Sequence, residues 1–234
     1  MRTGSRRKEP IMSDMRMIRV TGKGQIKVKP DVTRVTITLE DVYEEYDETL
    51  RHSSQDTEQL KDILAPYGFE RADLKTLSFQ VDPQYESYRK NGAYRQRLTG
   101  YRFSHVMKVE FESDNDRLGK ILYALANCPS KPEFRISYTV KDREAAKNEL
   151  LGKAVTDATA KAEVLSTAAG VKLKDIQSID YSWGEIDLEI SPMSRAVYAA
   201  PAGYFAEESD NYALDIEPDD IEVSDTVTVV WNIE

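Results

Sequence analysis

Between Asp82 and Arg97 the chain reads DPQYESYRKNGAYRQR, a concentration of side chains suited to recognition. Tyr85, Tyr88 and Tyr94 are interleaved with Arg89, Lys90, Arg95 and Arg97. Tyrosine presents a flat amphipathic ring at low entropic cost, and arginine presents a planar cation with five donors. Together they suit contact with another protein, where both residue types are favoured. They can also stack bases and neutralise phosphates, or simply remain a solvated hairpin. Subunit or partner contact ranks first, a solvated hairpin second and nucleic acid last, because the body carrying these residues is close to neutral. Docking of the chain's own acidic C-terminal part on this stretch, within or between subunits, is a further reading.

Elsewhere the chemistry is sparse. Gly22-Lys23-Gly24 lacks the GxxxxGK[ST] of a phosphate loop and the third glycine of a dinucleotide loop, so a structural role in a strand is expected. His52 and His105 have no ligand spacing around them, and a metal site is not expected. Cys128 is the single cysteine, which excludes an internal disulfide and reads as a small buried or half-buried residue. Asp114 fits a helix cap better than an acid/base pair with Asp116, and Asp219 and Asp220 belong to an acidic linker. No G-x-S-x-G elbow is present. The expectation is a non-catalytic protein without cofactor or metal, with an enzyme assembled from distant residues as the weaker class.

The net charge of −9 is uneven. From Glu185 onward there are 13 acids and one base, Arg195, so the first 184 residues carry 28 acids and 31 bases. Acidity therefore belongs to the C-terminal part. No apolar run is long enough for a membrane-spanning helix. Residues 1–16 are positively charged but lack an apolar h-region and a small-residue cleavage site, so they read as a disordered leader and the expected location is cytoplasmic.

The elements that must position the Tyr/Arg stretch follow from periodicity. Met17–Val28 and Val32–Val42 alternate as strands, and the Pro30-Asp31 turn between them suggests a hairpin. Glu44–Tyr67 is helical, with Tyr46, Leu50, Ser53, Thr57, Leu60, Leu64 and Tyr67 on one face and Gly68 as its stop. Leu74–Val81 and Gly100–Glu112 are strands. Asn91-Gly92 between them is a strong two-residue hairpin turn, so the two extend into a long antiparallel arm. A short helix from the cap Asp114 through Asn127 turns Leu118, Ile121, Leu122 and Leu125 inward. A strand Phe134–Val140 follows. Asp142 to Gly170 is the longest helical signal, with Ala154, Ala158, Ala162, Leu165 and Ala169 on its buried face and Leu151 and Val155 beside it. Strands Ile176–Trp183 and Ile221–Ile233 close the chain, the latter with Val227, Val229, Trp231 and Ile233 on one face. Residues 184–218 form a long acidic insertion without a period. The order β-β-α-β-β-α-β-α-β-β, with three helices, indicates α+β with largely antiparallel sheets, in a single domain 17–234.

These residues in this order resemble the SIMPL domain family. The resemblance rests on Val20-Thr21-Gly22-Lys23-Gly24 with Pro30-Asp31; Leu60 to Gly68; Thr76, Pro83 and Tyr85; Gly100-Tyr101; and Lys153-Ala154, Asp157-Ala158 and Lys161-Ala162 up to Gly170, with Ile176 beyond. It implies an α+β fold, a tendency toward large ring-like homo-oligomers and a possible stress role. It brings no catalytic residues to carry over. The sequence thus leads to a self-assembling interaction protein, with Tyr85, Tyr88, Arg89, Tyr94, Arg95 and Arg97 as the contact residues. A nucleic-acid or ligand binder using 83–97, and an uncharacterised enzyme, are the alternatives.

Overall fold

The computed structural model describes residues 16–90, 92–181, 186–191 and 217–234. The leader other than Arg16, the turn residue Asn91, Trp183 and most of the insertion 184–218 lie outside the described residues. The expected order appears, with a two-residue strand and one 3-10 turn added. The strands are β1 (Met17–Val28), β2 (Val32–Tyr43), β3 (Lys75–Lys90), β4 (Ala93–Glu112), β5 (Glu133–Thr139), β6 (Leu173–Tyr181), β7 (Glu189–Ile190) and β8 (Ile221–Ile233). The helices are α1 (Tyr46–Leu64, continued by the 3-10 turn Ala65–Tyr67), α2 (Asn115–Ala126) and α3 (Arg143–Ala169). They fall into two compact units, residues 1–28, 142–188 and 222–234 in one, and 29–141 and 189–221 in the other.

This division overturns the hairpin expected of the first two strands. β1 joins a three-stranded sheet of order β1-β8-β6, whereas β2 lies inside a five-stranded sheet of order β3-β4-β2-β5-β7. The Pro30-Asp31 link is committed elsewhere: Asp31 N–H donates to Thr139 O, and Asp31 accepts from the N–H groups of Ser113 and Lys141. A turn whose backbone groups are bound to β4–α2 and β5–α3 junctions cannot also close a tight hairpin.

The five-stranded unit packs one face of its sheet under α1 and α2. Val35, Ile37 and Leu39 of β2 are opposite Val109, Met107 and His105 of β4, so their side chains share a face. They are buried with Leu60, Leu64, Leu118, Ile121, Leu122 and Leu125 from the helices. Asp114 caps α2 by accepting from Arg117 N–H at 3.0 Å, as its type and place suggested. The face read for α1 is corrected at its start. Thr49, Ser53, Leu60 and Leu64 are buried, while Tyr46 and Leu50 are exposed. Thr49 Oγ1 donates to Glu45 O within the helix and lies 3.4 Å from Tyr101 O.

In the three-stranded unit β1 and β8 are antiparallel, since Ile233 N–H donates to Arg16 O and Thr21 meets Thr228 further along. α3 packs chiefly on β1. Its buried row is Ala146, Leu150, Ala154, Ala158, Ala162 and Ser166, a strict spacing of four. Leu165 and Ala169, expected inside, are exposed. At 3.6 residues per turn each step of four advances the row by about 40° in the same sense, so the contact line winds around the helix, as suits a helix that crosses a twisted sheet at an angle. Gly170 ends α3 in the left-handed region at φ 69°, and Gly68 ends the α1 turn at φ 82°. Asp142 accepts from Ala145 N–H at 2.8 Å. Asp142→Ala removes that acceptor, and urea unfolding is expected to show a loss of about 1 kcal/mol.

β6 solves a spacing problem. Leu173, Ile176, Ile179 and Tyr181 are separated by three, three and two, which in a regular strand would scatter them over both faces. Irregularities between Leu173 and Ile176 and between Ile176 and Ser178 restore them to one side, opposite Ile233, Trp231, Val229 and Val227.

Candidate interaction surface: the hairpin arm

The expected arm is present. β3 and β4 pair without a break from Asp82↔Arg102 to Gln84↔Gly100 and, past one irregularity, from Tyr85↔Leu98 to Lys90↔Ala93. β2 flanks β4 only as far as Tyr43↔Tyr101. Beyond that point the ribbon has two strands, with no third strand and no helix against it among the described residues. The six terminal pairs extend it by roughly 17–20 Å at the rise of an antiparallel strand.

The pairing sorts the candidate residues onto two faces. Tyr85, Arg89, Tyr94 and Leu98 share one; Glu86, Tyr88, Arg95 and Arg97 share the other. Each face has its own Tyr–Arg couple. The Arg89 guanidinium lies 5.9 Å from the Tyr94 ring centre, and that of Arg97 lies 5.9 Å from Tyr88. Arg97 is further tied to Glu86 by two hydrogen bonds, 3.1 Å from Nε and 2.7 Å from Nη2. So the sequence-stated set is brought together on one ribbon, but not as one cationic surface. Arg97 is neutralised, which sequence reasoning missed. The Asn91-Gly92 turn held the signal, because a two-residue turn sets Glu86 opposite Arg97. The apolar side chains are bare: Tyr94 is 81% exposed, Tyr85 56% and Leu98 48%.

The root of the arm is built for close approach. Gly100 takes φ 151°, where side chains are strained, and a Cβ there would lie 3.0 Å from Tyr43 C. Tyr101 meets Tyr46 edge-on with centroids 5.3 Å apart. Below it His105, 8% exposed, is held between two hydroxyls. Thr57 Oγ1 donates its one proton to Ser53 O at 2.7 Å, so toward His105 Nδ1, 3.0 Å away, it can only accept. Nδ1 therefore carries the proton, and Nε2 accepts from Thr76 Oγ1 at 2.9 Å. Phe79 meets the ring edge-on. Burial pulls the His105 pKa down, and nearby Lys61 adds to this. This is a satisfied structural histidine.

His52 stacks on Tyr43, with centroids 4.2 Å apart and planes 5° from parallel. Tyr43 O–H donates to Asp41, and burial followed by that bond pushes the phenol up to about 12. Asp56 is raised by burial, which His52 opposes and Asp41 reinforces. Among the described residues no three His, Cys, Asp or Glu stand where they could hold a metal ion. Hollows lie in this unit among the described residues. One of about 610 Å³ lies along α1 by Glu58 and Asp62, and one of about 330 Å³ lies by Thr36, Thr38, Glu133, Arg135 and Ser137. Cys128 is buried with Sγ 3.1 Å from Ser130 Oγ. Gly22 and Gly24 lie in β1 against the α3 backbone. No described helix is long and apolar enough to cross a membrane.

A family model described as SIMPL, protein of unknown function (DUF541), matches residues 18–231. The 26 kDa periplasmic immunogenic proteins of Brucella melitensis and Brucella abortus are each similar to the chain at 26% identity over 185 residues, covering 79% of this chain and 69% of theirs. Among solved structures, CutA from Synechococcus elongatus aligns at 14% identity with a TM-score of 0.20, over 56% of this chain and 95% of that one.

Proposed function

Since the chain belongs to the SIMPL family, we propose that it is a non-catalytic, self-assembling interaction protein whose copies are joined through the Tyr/Arg arm. The observation that supports this most is the two-stranded ribbon with bare aromatic rings on it. An isolated two-stranded ribbon is marginal in water, and covering it by another molecule would supply the missing burial. Tyr85, Tyr88, Arg89, Tyr94, Arg95 and Arg97 are the contact residues, and a closed ring-like homo-oligomer is the form of assembly that the family resemblance suggests.

Light scattering after size exclusion tests it. The native chain is expected to run as a discrete high-order oligomer, and R89E/R95E/R97E as a species several-fold smaller. A charge-reversed arm that leaves the mass unchanged removes the arm from the assembly.

The nucleic-acid reading uses the same arm, and binding that falls steeply with salt is its signature; no binding at low salt removes it. An enzyme reading has as its test turnover across hydrolase and peroxide-scavenging substrates, lost on mutation of the responsible hollow. The Brucella relatives are named periplasmic, whereas the sequence expectation is cytoplasmic; fractionation of the source cells separates the two.

A further inference from the structure

The arm has a complementary surface on the same chain. Residues 40–48 carry six acids and no base. Glu40 is engaged by Arg102 and Ser104, and Asp41 by Val42 N–H and Tyr43 O–H. Glu44, Glu45 and Asp47 are exposed and have no ion pair among the described residues. They border a bare apolar strip. Tyr46, 50% exposed, and Leu50, 39% exposed, lie one turn apart on α1, and Tyr46 touches Tyr101 at the arm root. At the far end of the ribbon stand Tyr94 and Arg89 on one face and Arg95 on the other, and neither arginine pairs with a carboxylate among the described residues. An aromatic, cationic tip thus matches an aromatic, apolar strip with an anionic rim.

The two cannot meet within one chain. Tyr101 at the root and Tyr94 near the tip are seven residues apart on one extended strand, a separation of roughly 23 Å, and paired β3 keeps that strand straight. Their pairing has to be between copies.

We infer that copies join head to tail, the arm tip of one (Arg89, Tyr94, Arg95) seating on the Tyr46–Leu50 strip of the next beside Glu44, Glu45 and Asp47. Such a contact uses two different patches, so it is heterologous. Repetition of a heterologous contact closes into a ring or runs on as a filament, whereas a self-complementary arm contact would stop at a dimer. The inference rests on the proposed role of the arm and adds the surface that receives it.

The test uses two full-length variants, each deleting one half of the junction. R89S/Y94S/R95S removes the tip, and E44K/L50K places cations on the strip. All five positions are exposed, and circular dichroism verifies the fold of each. Each alone is expected to be a monomer. Mixed one to one, they retain a single intact junction per pair and are expected to give a dimer of twice 26.6 kDa and nothing larger. A tip variant of native mass overturns both the arm's role and this inference, as does a monomeric native chain. A strip variant of native mass beside a monomeric tip variant leaves the arm's role standing and overturns the inference. Two monomeric variants whose mixture stays monomeric do the same.

Discussion

Gly22→Ala is expected to destabilise the three-stranded unit by about 3 kcal/mol, although the usual effect of the substitution in a strand has the opposite sign. Alanine stiffens the unfolded chain and normally favours the folded state by about 0.5–1 kcal/mol. At Gly22 that gain is outweighed. A Cβ built there would fall inside contact distance of Ala154 O and Ala158 N and 2.8 Å from Ala158 Cα. At Gly24 it would overlap Leu150 O and stand 3.0 Å from Ala154 N. These are backbone atoms in the middle of a 27-residue helix, so no rotamer change relieves the overlap. α3 would have to lift from β1. Ala154, Ala158 and Ala162 would then lose contact with Val20, Val227, Val229 and Trp231. Overpacking of this kind costs about 1–3 kcal/mol and sometimes more. Urea unfolding followed by tryptophan fluorescence measures it. Gly152→Ala supplies the control. Nothing lies within 4 Å of a Cβ at Gly152, so the same change inside the same helix is expected to stabilise by about 0.5–1 kcal/mol. Equal effects at the two sites would refute the close-packing account.

The five-stranded unit is expected to lose stability as pH falls below about 6.5, and H105Q to remove that loss. His105 is neutral and buried, and its folded pKa lies below the ordinary value. Below about 6.5 the unfolded chain takes up a proton at this position that the folded chain resists. The contribution of neutral His105 is therefore present above the unfolded pKa and is lost as pH falls through the folded one. One proton limits the slope to about 1.4 kcal/mol per pH unit. Carboxylates with lowered pKa values, Glu40, Glu110 and Asp157, also lose stability on acidification, but from their own unfolded values near 4 downward, so the windows separate. Urea midpoints between pH 7 and 5 decide it. A native profile as flat as that of H105Q would show that His105 does not titrate in folding.

The arm was legible because its causes are local. Asn91-Gly92 fixes a two-residue turn, and counting outward from it gives every pair from Lys90↔Ala93 to Tyr85↔Leu98. What counting cannot give is whether anything lies on the ribbon, or that Arg97 has given its charge to Glu86. Tyr46 and Leu50 lie on the face that the spacing of α1 predicts yet are exposed, since periodicity marks which residues share a face and not which turn of that face lies under the sheet.

The principal elements, their order, the caps at Asp114, Asp142 and Gly170, and the family are legible without coordinates, because each is written in neighbouring residues within a turn or two of helix or a few residues of strand. Which sheet each strand enters is set instead by contacts between distant segments. β1 and β2 are consecutive and patterned alike, yet Gly22 and Gly24 admit the α3 backbone to one, while the Asp31 bonds to Ser113, Thr139 and Lys141 hold the other between β4 and β5. Alternation specifies a strand with one buried face. Its partner is chosen by contacts many tens of residues away or more, and no local pattern encodes that choice.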